Sequence, residues 1–419
     1  MHIVSNYWVL DWLRENHITS VEEAAVLLPK YRVLNSLQQR ATDYIAEREK
    51  KLIPMRSIVA GTGVDLRGGR IVCPSATCMR RQVDLLFKHM WHYFDTIVVD
   101  DALTPLLVEK WNGSKKEMIG EILQQLTPLL YLEEINGSAF VEFRPKHRCV
   151  VDHWEQHARE VGLGIVVDSK DQLLANLIKR AEFSREIIGG RTWYNMTLTD
   201  AEITITSAKE QDEKQAHASL ANTFLSEYMV ELIADVLAAG EYGLPLGSVH
   251  GFSALLLQMS RPTSVADVIF HLQLPVLEGI STADLIAIRS DQSEYFLNFR
   301  NALTRAAQER LKVQPTASGV GIAEQIRADV IEPELERIRM SLASAERSLL
   351  KKTSAATFLG AIATTCGLLA SVAPPLAISA GVATTLAITG PAVSKHLDEE
   401  REVSLSNMYF LWKAIGHAH

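Results

Sequence analysis

The chain has 419 residues, 47% hydrophobic and 22% charged, so it can bury large cores and is not wholesale disordered. A length of this order suggests roughly two or three domains. The formal net charge is -8 and basic residues cluster only briefly, as at Arg80-Arg81, Lys115-Lys116 and Lys351-Lys352, so there is no general electrostatic reason to bind nucleic acid.

The first elements read as helices. Ser20 followed by Glu23 is a capping box, and a second helix is expected from Tyr31 to Lys51, ending near Pro54. The character then changes. Ile58-Val59, Arg70 to Cys73 and Thr96 to Val99 are short β-branched runs bounded by Gly, Pro or Asp, and read as strands. Between them, Val83, Leu86, Phe87, Met90 and Phe94 share one side of a helix. Asn136-Gly137 between Tyr131-Leu132 and Ala139 to Phe143 predicts a β-hairpin, and Ile165-Val166-Val167 predicts a further strand.

From Ala216 the pattern is helical. Leu220 to Ala239 is apolar on a wide face, and Gly240, Gly243, Pro245 and Gly247 then break it. Ser281 with Asp284 caps another long helix, whose core side is Leu285, Ile288, Phe296, Phe299 and Leu303, with Arg289, Asp291, Arg300 and Arg305 expected in water. After a boundary near Thr316 to Gly319, the helix following Pro333 carries Leu335, Ile338, Leu342, Ala345 and Leu349 at steps of three and four. This is a heptad-like seam with charged flanks, suited to pairing with another helix.

The seam runs into a tract without a single charged side chain, Thr353 to Ser394. Pro374-Pro375 divides it into arms Ala355 to Ala373 and Leu376 to Val393, each close to the roughly 20 residues that cross a bilayer core. Lys351, Lys352 and Lys395 flank it, as a hairpin with both feet on the cytoplasmic side requires, and small residues such as Gly360 and Gly367 permit close helix contact in lipid. Its many Ala and Thr residues equally suit a hairpin buried in protein, so both readings stand. The tail, Met408 to Lys413 with Trp412, reads as an aromatic fold-back onto a domain in preference to an interfacial anchor.

Candidate chemistry is sparse. His147, Cys149, His153 and His157 are residue types that ligate zinc, the last three at helical spacing, but His153 to His157 is not HExxH. Asp100-Asp101 at a strand end, with Glu142-Phe143-Arg144 on a later strand, partly matches a metal-dependent nuclease core in which Arg144 replaces the usual Lys; helix capping explains the aspartates better. Gly61-Thr62-Gly63 and Gly68-Gly69 lack the GK[ST] of a phosphate loop and precede an expected strand, and Ser75 and Cys78 sit in no nucleophile motif. No cofactor is implied. The four cysteines form no CxxC pair and the N-terminus has no secretion pattern, so the expected setting is a reducing cytoplasm, with association at the inner face of the membrane through the apolar tract.

Leu274 to Ser281, Asp284-Leu285, Phe296 to Arg300, Tyr409 to Lys413 and the region Arg70 to Asp101 resemble segments of uncharacterised bacterial proteins associated with phage-defence gene neighbourhoods. The resemblance covers about half the chain and brings no active site. It implies a bacterial cytoplasmic protein in which the apolar hairpin matters. The expected fold class is α+β and mostly α. Residues 1–55 form N-terminal helices, 56–215 a mixed α/β domain, 216–318 a helical domain, 319–352 an amphipathic stalk, 353–394 the apolar hairpin and 395–419 the tail. The expected function is a non-enzymatic effector or sensor. Its N-terminal region recognises a partner, and its C-terminal helices self-associate, bind protein or engage a membrane. The alternatives are a metal-dependent hydrolase or nuclease and a soluble helical scaffold.

Overall fold

The structure, a computed structural model, describes residues 7–340 except 48–55, 62–65, 67–74, 146–150, 199–202, 208–211, 248–250, 275–279 and positions 92, 110, 190, 273, 292 and 339; beyond these it describes Ser406 and residues 408–411. In chain order, three helices, α1 (Trp8–Glu15), α2 (Val21–Leu27) and α3 (Tyr31–Glu47), precede an α/β unit. That unit runs β1 (Ser57–Ala60), α4 (Ala76–Met90), β2 (Thr96–Asp101), α5 (Leu103–Val108), α6 (Lys115–Glu134) and β3 (Val141–Pro145). Short helices α7 (Trp154–Glu160), α8 (Gly164–Asp168) and α9 (Lys170–Arg180) lead to strands β4 (Glu182–Ile188), β5 (Arg191–Leu198) and β6 (Ile203–Ser207). Then come α10 (Glu213–Tyr242), β7 (Leu246–Gly247), α11 (Gly251–Ser260), α12 (Val265–Phe270), α13 (Thr282–Asp291), α14 (Ser293–Val313) and α15 (Gly319–Ile326). The molecule is mostly helical, as expected.

One sheet is parallel, with order β3-β2-β1-β7; the other is antiparallel, β4-β5-β6. The period-two alternation of strand side chains sorts the parallel sheet between two cores. Ile58, Ala60, Ile97, Val99, Val141 and Phe143 face the core built by α4, α6 and the N-terminal helices. Val59, Val98 and Leu246 face the core of α10, α7 and α8. Both faces are covered, so the central strands read as unbroken apolar runs. Helix α10 is buried on most of its circumference by Phe224, Leu225, Tyr228, Met229, Leu232, Ile233 and Ala238, and it also packs on β5 and β6.

The Ser20–Glu23 capping box is present, with Glu23 N–H donating to Ser20 Oγ at 3.2 Å and the Glu23 carboxylate accepting from Ser20 N–H. The hairpin at Asn136-Gly137 is replaced by a helix stop. Tyr131 and Leu132 belong to α6, Asn136 takes a left-handed φ of 55°, and Gly137 N–H closes the last turn on Leu132 C=O at 2.8 Å. An Asn-Gly pair serves a helix C-terminus as readily as a hairpin, because both need a residue that tolerates positive φ. The expected strand Ile165 to Val167 is α8. Gly162, at φ +83, ends α7 with Leu163 N–H on Ala158 C=O, and the next turn buries Val166 and Val167 beside α10 and α11. Tertiary burial outweighs the β preference of three branched residues. The helix expected after Ser281 is two helices, α13 and α14. The strand expected at Arg70 to Cys73 lies outside the described residues, and the antiparallel sheet was not anticipated.

Arg289 and Arg300 are not in water. Both are buried and converge on Asp95, at 2.5 and 2.6 Å. Arg289 also donates to the carbonyls of Trp91 and Phe94 just past the end of α4, and lies between the rings of Trp91 (3.6 Å) and Phe296 (4.0 Å). Burial lowers its guanidinium to about 9, so at neutral pH it remains a cation, and its charge complements the negative end of α4. We expect Arg289→Ala to cost about 3–5 kcal/mol, because it removes one partner of a buried charge network. A loss under about 1 kcal/mol in urea unfolding would refute this.

His89, stacked on Phe270, and His271 nearby are both held below the ordinary histidine value of 6.5, chiefly by burial. Their neutral forms are favoured in the fold, so the unfolded chain binds more protons as pH falls below that value. Stability should therefore be constant above neutrality and fall as pH drops through the range 6.5 and lower, with a smaller fall in His89→Phe; equal urea midpoints at pH 5 and pH 7.5 would contradict this.

Candidate functional site

Two regions concentrate features that packing alone does not require. The first is where the described chain stops at residue 340 and resumes at Ser406, on either side of the apolar tract in sequence. Helix α15 is capped by Ser318, which accepts from Gly321 N–H, and packs Ile322, Ala323 and Ile326 against α12 and α14. A π turn at Arg327–Ile331 carries the chain into helical residues 332–338. Of the seam, Leu335 is half-buried and Ile338 is buried, whereas Leu342 and Leu349 lie outside the described residues, as do Gly360, Gly367, Pro374, Pro375 and Trp412.

The chain returns at Ser406. Its hydroxyl donates to Glu334 Oε1 at 2.7 Å across 72 positions, and it also accepts from Met408 N–H. Arg337 donates to both oxygens of Glu334, and these bonds, together with that from Ser406, hold the Glu334 carboxyl below its usual range. Met408, Tyr409, Phe410 and Leu411 are then buried. Phe410 packs on Phe296 (5.2 Å) and Phe299 (5.7 Å), and Tyr409 on Tyr295 (4.7 Å). The fold-back of the tail onto the helical domain is thus observed for these residues. Its sequence signal was the aromatic cluster itself; Ser406 and Glu334 gave none.

The second region is the carboxyl edge of the parallel sheet. Consecutive residues of β2 point to opposite faces, so Asp100 and Asp101 are separated. Asp101 is buried among the N-terminal helices, where its Oδ1 accepts from Tyr7 Oη at 2.6 Å and from the N–H groups of Leu103 and Thr104, capping α5. The Tyr7 hydroxyl is raised well above its usual value by burial and then by Asp101. Asp100 faces α10 and contacts Arg144 Nη2 at 2.7 Å. Register places Asp100 opposite Arg144 and Val98 opposite Glu142, so Glu142 stands one step back along the same face. Asp235, buried on α10, reaches Arg144 at 3.4 Å. Asp235 carries no sequence signal of its own, because Glu227 and Glu231 lie in the same stretch of the helix.

The histidine candidates do not converge. His153 is exposed at a 3-10 turn and His157 contacts Glu160 at 3.3 Å, while His147 and Cys149 lie outside the described residues. Among the described residues no three His, Cys, Asp or Glu side chains are placed to hold a metal ion, and no helix is long and apolar enough to cross a membrane. No protein-family model matches the chain, and no curated protein or solved structure matches it.

Truncating Phe410 tests this seat of the tail directly. With its ring fully buried between α14 side chains, Phe410→Ala should cost about 3–5 kcal/mol in urea unfolding. A variant as stable as the parent would mean that the tail is not held there.

Proposed function

We propose that the chain is a non-enzymatic effector or sensor. Its α/β part recognises a partner or signal, and its helical part presents the 353–394 tract to a membrane as a hairpin. The observation that carries the reading is the Glu334–Ser406 contact, with Ile338 buried just before residues 341–405 and Met408 to Leu411 buried just after them. The described chain before residue 341 and the chain from Ser406 thus meet at one place. A segment so tethered enters lipid with both ends on the same side, which is the arrangement that the flanking Lys351, Lys352 and Lys395 favour. Each arm has a length suited to the bilayer core, and Ala-rich arms insert weakly enough to suit regulated engagement. The resemblance to proteins of phage-defence neighbourhoods makes antiviral defence the proposed setting.

A chain cut after Lys352 would also lose the Phe410 packing, so the test is an internal deletion of 353–394 closed by a Gly/Ser linker, which keeps Ser406 and Phe410. In flotation with anionic-lipid vesicles the full chain should rise and the deletion should stay in the bottom fraction, while both unfold at similar urea concentrations. Equal flotation of the two, or a full chain that never floats, would rule the membrane role out and leave protein–protein assembly.

A further inference from the structure

Strand β4 lies at the edge of the antiparallel sheet, with β5 on one side and no strand on the other among the described residues. It pairs with β5 without a bulge from Glu182 to Ile188. Backbone N–H and C=O groups alternate in direction along an antiparallel strand, so every second residue of β4 presents both to the open side. Helix α10 packs on β5 and β6. β4 is anchored near its start, where Phe183 stacks on His217 of α10 at 3.8 Å, and its other residues are exposed. Ile187 and Ile188, 69% and 57% exposed, stand at the far end.

Proteins blunt such edges with proline, bulges, covering elements or charge. Of these, β4 carries charge alone: Glu182, Arg185 and Glu186, none of them in an ion pair among the described residues. Their order selects what can pair there, and it disfavours a second copy. Opposite residues of an antiparallel pair share a face, so two copies related by a twofold axis pair about one central residue. Centring on Ser184 sets Glu182 against Glu186, and centring on Arg185 or Glu186 sets that charge against itself. Each is a destabilising like-charge contact. Any other centre leaves fewer than half the residues of each strand paired.

We propose that β4 takes up an extended segment of another protein as an added antiparallel strand, with basic residues facing Glu182 and Glu186, an acidic residue facing Arg185, and apolar residues facing Phe183, Ile187 and Ile188. In such strand addition the main-chain bonds supply affinity and the alternating side chains supply selectivity. The assignment rests on the reading that the α/β part recognises a partner, and it does not involve the apolar tract.

The probe is the acetylated, amidated peptide Val-Val-Lys-Glu-Thr-Val-Lys, which sets this pattern against β4 from Ile188 back to Glu182. A dye-labelled copy should bind the full chain by fluorescence anisotropy, with hydrogen exchange slowed at 182–188. The isomer Val-Val-Glu-Lys-Thr-Val-Lys has the same composition and net charge, but sets Glu against Glu186 and Lys against Arg185. It should bind about fivefold more weakly. The double variant Arg185→Glu, Glu186→Arg should reverse that preference; both positions are exposed, so its melting temperature should match the parent. The 353–394 deletion should bind as the parent does, so a failure here and a failure of flotation are read separately. Three results overturn the assignment: no protection at 182–188, equal binding of the two peptides, or a dimer in sedimentation that the first peptide disperses. The last would give the edge to a second copy.

Discussion

Asp95 is the residue on which the two halves of the molecule depend. It follows the α4 turn, its own N–H bonds Arg56 C=O at 2.8 Å at the head of β1, and its carboxylate receives Arg289 from α13 and Arg300 from α14. Two guanidinium groups so close repel each other, and burial penalises both. The structure offsets this with acceptors: the carbonyls of Trp91, Tyr93 and Phe94, left free where α4 ends, and the faces of Trp91 and Phe296. The position of α14 relative to the sheet is therefore set by directional bonds, and α14 in turn supplies Phe296 and Phe299 to Phe410. The seat of the buried residues 408–411 inherits its geometry from Asp95.

Some of this structure is carried by local sequence and some is not. The capping box at Ser20 and Glu23, the strands at Ile58 and Thr96, and the long helix through Leu220 to Ala239 depend on local chemistry and period, and were legible. Arg289 and Arg300 were assigned to water because a charged residue on an amphipathic helix is usually solvated. What buries them is an acid and three carbonyls about 200 positions away, which no local window contains. Asn136-Gly137 and Ile165 to Val167 failed for a related reason. Each local signal fits two structures, and the neighbours in space choose between them.

The candidate site divides similarly. Asp100 and Asp101 stood out in the sequence as adjacent acids at a strand end, but adjacency in a strand means opposite faces. Asp101 joins the N-terminal helices to the sheet through Tyr7 and α5, while Asp100 turns to Arg144 and α10. Two like residues thus serve two cores. The ionic partners that give the α10 side its chemistry come from β2, β3 and α10, and only the parallel register brings Arg144 level with Asp100.

The chain on either side of residues 341–405 is held together by unlike forces. Burial of an aromatic ring such as Phe410 contributes about 1.5–3 kcal/mol, does not depend on direction, and secures the returning chain. The Ser406–Glu334 bond, to a charged acceptor that is only part-buried, contributes about 1.5–3 kcal/mol at most and requires exact placement. Because the Phe296 ring meets both Phe410 and the Arg289 guanidinium, the packing that secures the returning chain is joined directly to the Arg289–Asp95–Arg300 network.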